Sequence, residues 1–341
     1  MKETILVTGG TGFIGSHTTV ELQQAGYDVV IVDNLSNSRE DVLDGIEKIT
    51  GIRPAFEKVD LRATESVFKK YPKISGIIHF AASKAVGESV QKPLLYYHNN
   101  IVSLINLLQL MPKYDVKGII FSSSCTVYGQ PDVLPATEET PIKKAESPYG
   151  NTKQINEEII ADTIKSGSPI KAILLRYFNP IGAHPTAFIG EMPNGVPQNL
   201  IPYLTQTAMG IRKELSVFGD DYDTPDGSCI RDYIYVVDLA KAHVCAMTRI
   251  MEDQTTEPVE VYNIGTGTGT SVLELINAFE KATGVKLNYK IVGRRAGDIE
   301  KVWGNVDKAN KVLGWKAETP LEDVLASAWK WQCVLREKGI M

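Results

Sequence analysis

Cysteine is scarce in this sequence. Cys125, Cys229, Cys245 and Cys333 are scattered over 341 residues with no Cys-x-x-Cys pair, so neither a disulfide framework nor a structural zinc site is expected. The five histidines never take the His-Glu-x-x-His spacing, and no metal is expected from them. No apolar run reaches 18 residues, which leaves no candidate membrane span. Positive charge is not in excess. The formal net charge is −5, whereas a nucleic-acid binder normally presents a basic face. The start, Met1-Lys2-Glu3-Thr4, runs directly into a strand-like stretch and lacks the charged, apolar and small-residue succession of a signal peptide. The cytoplasm is the expected location. Internal repeats and low-complexity linkers are also missing.

What is there is ordinary globular composition: 43% hydrophobic and 23% charged residues, enough apolar side chains for one large unit and a smaller companion. Short β-branched runs alternate with amphipathic stretches, the pattern of a parallel sheet covered by helices. Strands are predicted at 4–8, 28–33, 55–60, 76–81, 117–122 and 170–176. Helices are predicted at 13–26, 36–50, 63–71, 92–112 and 149–166. The fold class expected is α/β, a doubly wound Rossmann-type parallel sheet over residues 1–178. Residues 179–341 are expected to form mostly a smaller substrate-binding lobe, with a segment near 235–255 returning to the first domain. Six prolines fall between Pro180 and Pro225, and a long irregular stretch of that kind is usually functional. Helices resume at 237–252, 271–283 and 320–338. Ser271-Val-Leu-Glu274 and Thr319-Pro-Leu-Glu322 both read as capping boxes.

Thr8-Gly-Gly-Thr-Gly-Phe-Ile-Gly15 places Gly9, Gly12 and Gly15 between a predicted strand and a predicted helix. The first glycine suits a tight turn, the second close approach of backbone to a pyrophosphate, and the third helix–strand packing. Free N–H groups at the helix start favour the phosphates. Asp33 ends the second strand, where a carboxylate accepts from ribose hydroxyls and repels a 2′-phosphate, so NAD is favoured over NADP. A second cluster, Gly265-Thr-Gly-Thr-Gly269, lacks both the spacing and the acidic partner, and reads as a structural turn.

Tyr149 and Lys153 stand four apart at the start of a predicted helix and therefore share a face. An ammonium beside a phenol favours phenolate, although bringing a phenol from about 10 toward neutrality takes roughly 4 kcal/mol. The pair alone means little in a chain with 14 tyrosines. Its company matters more. Ser122-Ser-Ser-Cys-Thr-Val-Tyr-Gly129 follows the fifth strand at the carboxyl end, where open α/β sheets bind ligands. Ser124 there can hydrogen-bond the substrate oxygen that Tyr149 deprotonates.

The stretches TGGTGFIGSH, VDNLSNS, HFAASKAVGESVQKPLLYY, FSSSCTVYG, SPYGNTK, LLRYFNPIGAHP, FGDDYDTPDGSCIRDYI and RRAGD make the chain resemble, from end to end, the extended short-chain dehydrogenase/reductase family. Within it, the resemblance is to the branch that interconverts UDP-glucose and UDP-galactose at C4. That resemblance implies a tightly held NAD. It assigns Phe13 and Ile14 to the pyrophosphate turn, and Asp33, Asn34, Asn37 and Ser38 to the adenosine ribose. Asp60 and Leu61 would meet the adenine, with Phe80, Ala81, Ala82 and Lys84 toward the nicotinamide and Asn99 and Phe178 completing the pocket. Ser124, Tyr149 and Lys153 match the catalytic trio, Tyr149 and Lys153 also touching the cofactor. For the UDP-sugar it implies Lys84, Ser124, Asn179, Asn199, Leu200, Ser216, Val217, Phe218, Arg231, Arg295 and Asp298. It also implies a homodimer through the helices at 92–112 and 149–166.

At the position of Val302 the family carries either tyrosine or a much smaller residue, along the wall nearest the sugar 2-substituent. Valine is expected to leave room for an N-acetyl group. The rival in mechanism is a nucleotide-sugar 4,6-dehydratase, which needs a carboxylate acid/base pair beside the serine; Cys125-Thr126 stand there instead. A non-catalytic dinucleotide-sensing regulator on the same fold would have no use for Tyr149 and Lys153.

Overall fold

The computed structural model describes residues 2–295 and 298–340; Ala296 and Gly297 of the RRAGD stretch lie outside the described residues. The first half alternates strand and helix: β1 Thr4–Thr8, α1 Phe13–Gln24, β2 Asp28–Asp33, α2 Val42–Thr50, β3 Ala55–Lys58, α3 Glu65–Lys70, β4 Ile74–His79, α4 Val86–Gln91, α5 Pro93–Leu110, β5 Gly118–Ser124, α6 Pro148–Lys165 and β6 Lys171–Tyr177. The second half adds β7 Asn179–Ile181, α7 Leu200–Ala208, β8 Leu215–Phe218, β9 Ile230–Arg231, β10 Tyr233–Tyr235 and α8 Val236–Met251. After these come β11 Val259–Ile264, β12 Thr270–Ser271, α9 Val272–Thr283, β13 Tyr289–Val292, β14 Lys301–Val302, α10 Asp307–Val312 and α11 Leu321–Glu337.

The main sheet is parallel and seven-stranded, in the order β11-β6-β5-β4-β1-β2-β3. Its strands are apolar on both faces, as a sheet covered on both sides requires. Alternate residues divide between two cores. Ile5, Val7, Val29 and Ile31 pack with α1, α2 and α8, while Leu6, Val30 and Val32 pack with α3, α5 and α6. The reversal of strand order between β1 and β4 opens a crevice at the carboxyl ends, where such sheets bind ligands. A third core around Leu204, Tyr233, Phe279 and Leu325 gathers α7, β8, β10, α9 and α11. Among the described residues no helix is long and apolar enough to cross a membrane.

Several boundaries differ from the periodicity. The helix predicted from 36 begins only at Val42, because Asp33 and Asn34 accept from the backbone N–H groups of Leu35 and Ser36 and hold a turn there. Strand β3 ends at Lys58, and Asp60 accepts from the Arg62 N–H to cap a 3₁₀ turn. The capping box at Ser271 and Glu274 forms as read, but the one at Thr319 does not. The Thr319 N–H donates to the buried Asp238 carboxylate at 3.1 Å, and Glu322 pairs with Lys281 instead of reaching back. Helices α4 and α7, which the pattern did not suggest, supply the entrance to α5 and the floor of the smaller lobe.

Candidate active site

The glycine turn after β1 is as tight as a chain can make it. Gly9 sits at φ +71°, a conformation that L side chains avoid, and a Cβ there would lie 2.9 Å from the Ala81 nitrogen. A Cβ on Gly15 would lie 2.3 Å from the Gly9 carbonyl oxygen. Helix α1 then starts at Phe13 with no side-chain cap and no acidic residue in its first turn. Its first N–H groups suit an anion, so the residues present fit a dinucleotide pyrophosphate. Gly10, which the motif does not count, is pinned as well: a Cβ would lie 2.7 Å from the Ile31 side chain.

Beside this turn, Asp33 accepts from Leu35 N–H at 2.9 Å and Ser38 Oγ at 3.0 Å, both on Oδ1. Asn34 reaches Asp60, so the ends of β2 and β3 form one polar rim, with Leu61 buried below and Asn37 exposed. Across the crevice, Phe80 and Ala81 bond to Thr8, while Asn99 donates to Ser83.

The end of β5 and the start of α6 bring together the three side chains that the resemblance assigns to catalysis. Ser124 caps a short 3₁₀ turn, and Ser147 caps α6 with Pro148 at its first turn, which sets Tyr149 and Lys153 on the face toward β5. The Lys153 ammonium lies 5.9 Å from the Tyr149 ring centroid and 4.9 Å from that of Phe121. It donates to the Ser122 carbonyl at 2.5 Å. Lys153 is only 4% exposed, and burial pushes its pKa down to about 8. The Tyr149 phenol goes the other way from the sequence expectation: burial holds it above its ordinary range, and a hydrogen bond with Ser124 opposes that shift. The Tyr-Lys spacing therefore brings the pair together without by itself producing a phenolate. Burial likewise pushes the neighbouring Cys125 thiol up to about 12, unsuited to acid/base work at neutral pH.

From the second half of the chain, Arg231 stands in β9 beside Val302 in β14 and donates to the Ile230 carbonyl at 2.8 Å. Val302 shares a buried cluster with Cys125 and Phe178, one residue from Ser124. Arg295 forks onto Asp298 and stacks 5.3 Å from the Phe218 ring centroid, at the end of the Ser216–Phe218 stretch. Asn199 precedes Leu200 at the start of α7 and donates to Glu191 at 2.6 Å; the same Glu191 oxygen lies 3.7 Å from Lys84. Asn179 pairs with Tyr233 in the small parallel ladder of β7 and β10.

Four groups escaped the sequence reading: Glu191, Asp232, Glu157 and Arg176. Asp232 is fully buried and accepts from Thr266 N–H, Thr266 Oγ1 and Gly267 N–H at 2.7–3.1 Å, so the second glycine cluster is a turn around an internal carboxylate. Phe178 closes the same junction. A Cβ on Gly304 would lie 2.4 Å from its ring, and one on Gly265 would lie 3.0 Å from it. Only position relative to a named neighbour could have flagged these groups: Asp232 follows Arg231, and Glu157 stands one turn beyond Lys153.

The model of the NAD dependent epimerase/dehydratase family matches residues 5–265. The chain belongs to that family. It is similar to UDP-glucose 4-epimerase 2 of Arabidopsis thaliana, 51% identical over 337 residues that span 97% of this chain and 95% of the relative. Among solved structures, the UDP-glucose-4-epimerase of Stenotrophomonas maltophila, with bound NAD and formylated UDP-arabinopyranose, has a TM-score of 0.95 at 45% identity. It covers 98% of this chain and 99% of its own. A UDP-Glc/GlcNAc 4-epimerase from Campylobacter jejuni has a TM-score of 0.82 at 34% identity, over 97% and 99%. The family uses NAD, and the glycine turn and Asp33 rim are where this chain's residues fit it.

The rim predicts the cofactor preference. Replacing Asp33 by alanine removes the charge that repels a 2′-phosphate, so preference for NAD over NADP should weaken about tenfold or more, equivalent to roughly 1.4 kcal/mol. Dinucleotide retained after refolding with either cofactor measures it; unchanged selection would move the discrimination to the 34–38 segment.

Proposed function

We propose that the chain is an NAD-dependent epimerase of UDP-sugars that interconverts UDP-glucose and UDP-galactose through a transient 4-keto sugar. The observation that carries this reading is the convergence of Ser124 at the end of β5 with Tyr149 and Lys153 at the start of α6, with Arg231 near the adjacent Cys125. Tyr149 takes the proton of the sugar 4-hydroxyl, Ser124 hydrogen-bonds that oxygen, and Lys153 holds positive charge beside the phenol. NAD, held by the glycine turn and the Asp33 rim, would supply a reversible hydride acceptor for C4 and a positive ring that favours the phenolate that burial disfavours. Arg231 and Arg295 suit the diphosphate because the guanidinium fork matches its oxygens. A grip on the nucleotide leaves the keto sugar free to turn. Cys125 and Thr126, where a 4,6-dehydratase needs carboxylates, support epimerisation over elimination.

The reading extends to N-acetylated UDP-sugars. Val302, rather than a tyrosine, lies in the cluster with Cys125. The family likeness also supports a homodimer: Val90, Leu94 and Leu95, on α4 and the start of α5, are exposed apolar side chains, Leu94 at 80%. Four free cysteines suit a cytoplasmic enzyme.

Three measurements test these statements. Tyr149→Phe should keep the fold and the bound NAD while UDP-galactose conversion in a coupled assay falls at least 10²-fold, the range of a lost general base; near wild-type turnover would overturn the assignment. With Val302→Tyr, UDP-N-acetylglucosamine turnover should be suppressed and UDP-glucose turnover largely spared, since overpacking costs about 1–3 kcal/mol. A wild type inert toward the N-acetylated sugar would end that extension. Sedimentation should give a two-chain particle that Leu94→Glu converts toward 37.5 kDa; a single-chain wild type would exclude the dimer.

A further inference from the structure

Helix α6 carries a third buried polar residue in line with its reactive pair. Tyr149, Lys153 and Glu157 recur every four residues, so all three lie on one face and meet the consecutive serines that end β5. The Lys153 ammonium donates to the Ser122 carbonyl, and the Ser123 hydroxyl donates to Glu157 Oε1 at 2.5 Å. Two of the three serines are thus bonded directly to the stripe.

Glu157 is also gripped from the neighbouring strand. Arg176, the register partner of Ser123 in β6, donates from Nε to Oε1 at 3.0 Å and from Nη2 to Oε2 at 2.6 Å. Both side chains are 7% exposed. The remaining Arg176 nitrogen, Nη1, donates to the Tyr128 hydroxyl and the Glu138 carbonyl. Such a fork fixes a carboxylate in place as well as in charge. A buried ion pair is a poor source of net stability, because desolvating two charges offsets most of their attraction. Its location suggests what it does instead.

We propose that Glu157 is a positioning residue for the reaction: its clamped carboxylate supplies the counter-charge that keeps Lys153 an ammonium inside the protein, and it fixes α6 against the end of β5. The inference rests on the catalytic reading of Lys153 given above. Around Lys153, Tyr149 and Glu157 share its helix face and His79 on β4 interacts with it, while Cys125 follows β5 and Tyr177 and Arg176 stand on β6, the strand paired with β5. Burial holds His79 neutral, its pKa pushed down to about 3, and the Cys125 and Tyr177 protons are both pushed up to about 12. Glu157 is the carboxylate of this set, one turn of α6 from Lys153. Burial alone drives Lys153 toward neutrality, and Glu157 opposes it. Because the neutral amine gains as pH rises through about 8, loss of Glu157 should bring that deprotonation to lower pH.

The test is Glu157→Gln, which keeps shape and an acceptor for Ser123. The wild type must first convert UDP-galactose, since failure there refutes the functional reading and not this one. In the variant, the alkaline fall of kcat should begin at least about one pH unit lower, the usual effect of losing a nearby opposite charge, with KM changed less than about twofold. In [ε-13C]lysine-labelled protein the Lys153 titration should move by the same amount, and Glu157→Asp should restore part of it. Should the single variant unfold because Arg176 is left unpaired, Glu157→Gln/Arg176→Met removes both charges and should show a smaller shift in the same direction. An alkaline limb and lysine titration that overlay the wild type, whatever happens to thermal stability, would overturn the proposal.

Discussion

Burying a lysine ammonium is the constraint around which the centre of this molecule is arranged. An isolated charge inside protein reverts to its neutral form unless hydrogen bonds and an opposite charge hold it. Lys153 receives both from elements that meet only at the carboxyl end of the sheet: a carbonyl from β5 and a carboxylate from its own helix. The carboxylate in turn depends on Arg176 of β6. Parallel register is what delivers these groups, since Ser123 and Arg176 are partners in the ladder. The sheet is thus more than a platform for loops.

Satisfied buried acceptors recur in the second half of the chain. Asp232 lies between Arg231 and the strand β10 that pairs with β7, and the turn at Thr266 and Gly267 surrounds its oxygens with N–H groups. A carboxylate there aligns the arginine strand without needing a cation. Asp238, in the first turn of α8, accepts from the Glu318 and Thr319 N–H groups and so ties the chain before α11 to that helix.

Much of this was legible in the residues. Alternation and β-branching marked six of the seven sheet strands; the seventh, β11, extends the sheet beside β6 from far along the chain, which local pattern does not reveal. The glycine turn and Asp33 rim could be read because backbone crowding admits so few residue types. The Tyr-Lys pair was legible as geometry but not as electrostatics, since a phenol's ionisation depends on solvent exclusion that no spacing encodes. Arg176 and Glu157 lie 19 positions apart and meet only through register. Leu35, at φ +59°, delays α2 for a reason visible only once Asp33 is seen to hold the turn.

The packing of Phe178 against Gly265 and Gly304 has an evolutionary reading. Two glycines 39 positions apart face one aromatic ring, with ideal Cβ positions 3.0 and 2.4 Å from its carbons. A methyl group at Gly304 cannot be accommodated by a flexible side-chain tip, because the obstacle is a rigid ring in a close-packed cluster. Drift at 178 and 304 is therefore coupled. A lineage that acquires alanine at 304 should carry a smaller residue at 178, and one that keeps the phenylalanine should keep the glycine. Gly265 is held first by the Asp232 carboxylate, 2.4 Å from its ideal Cβ, so a smaller residue at 178 would not free it.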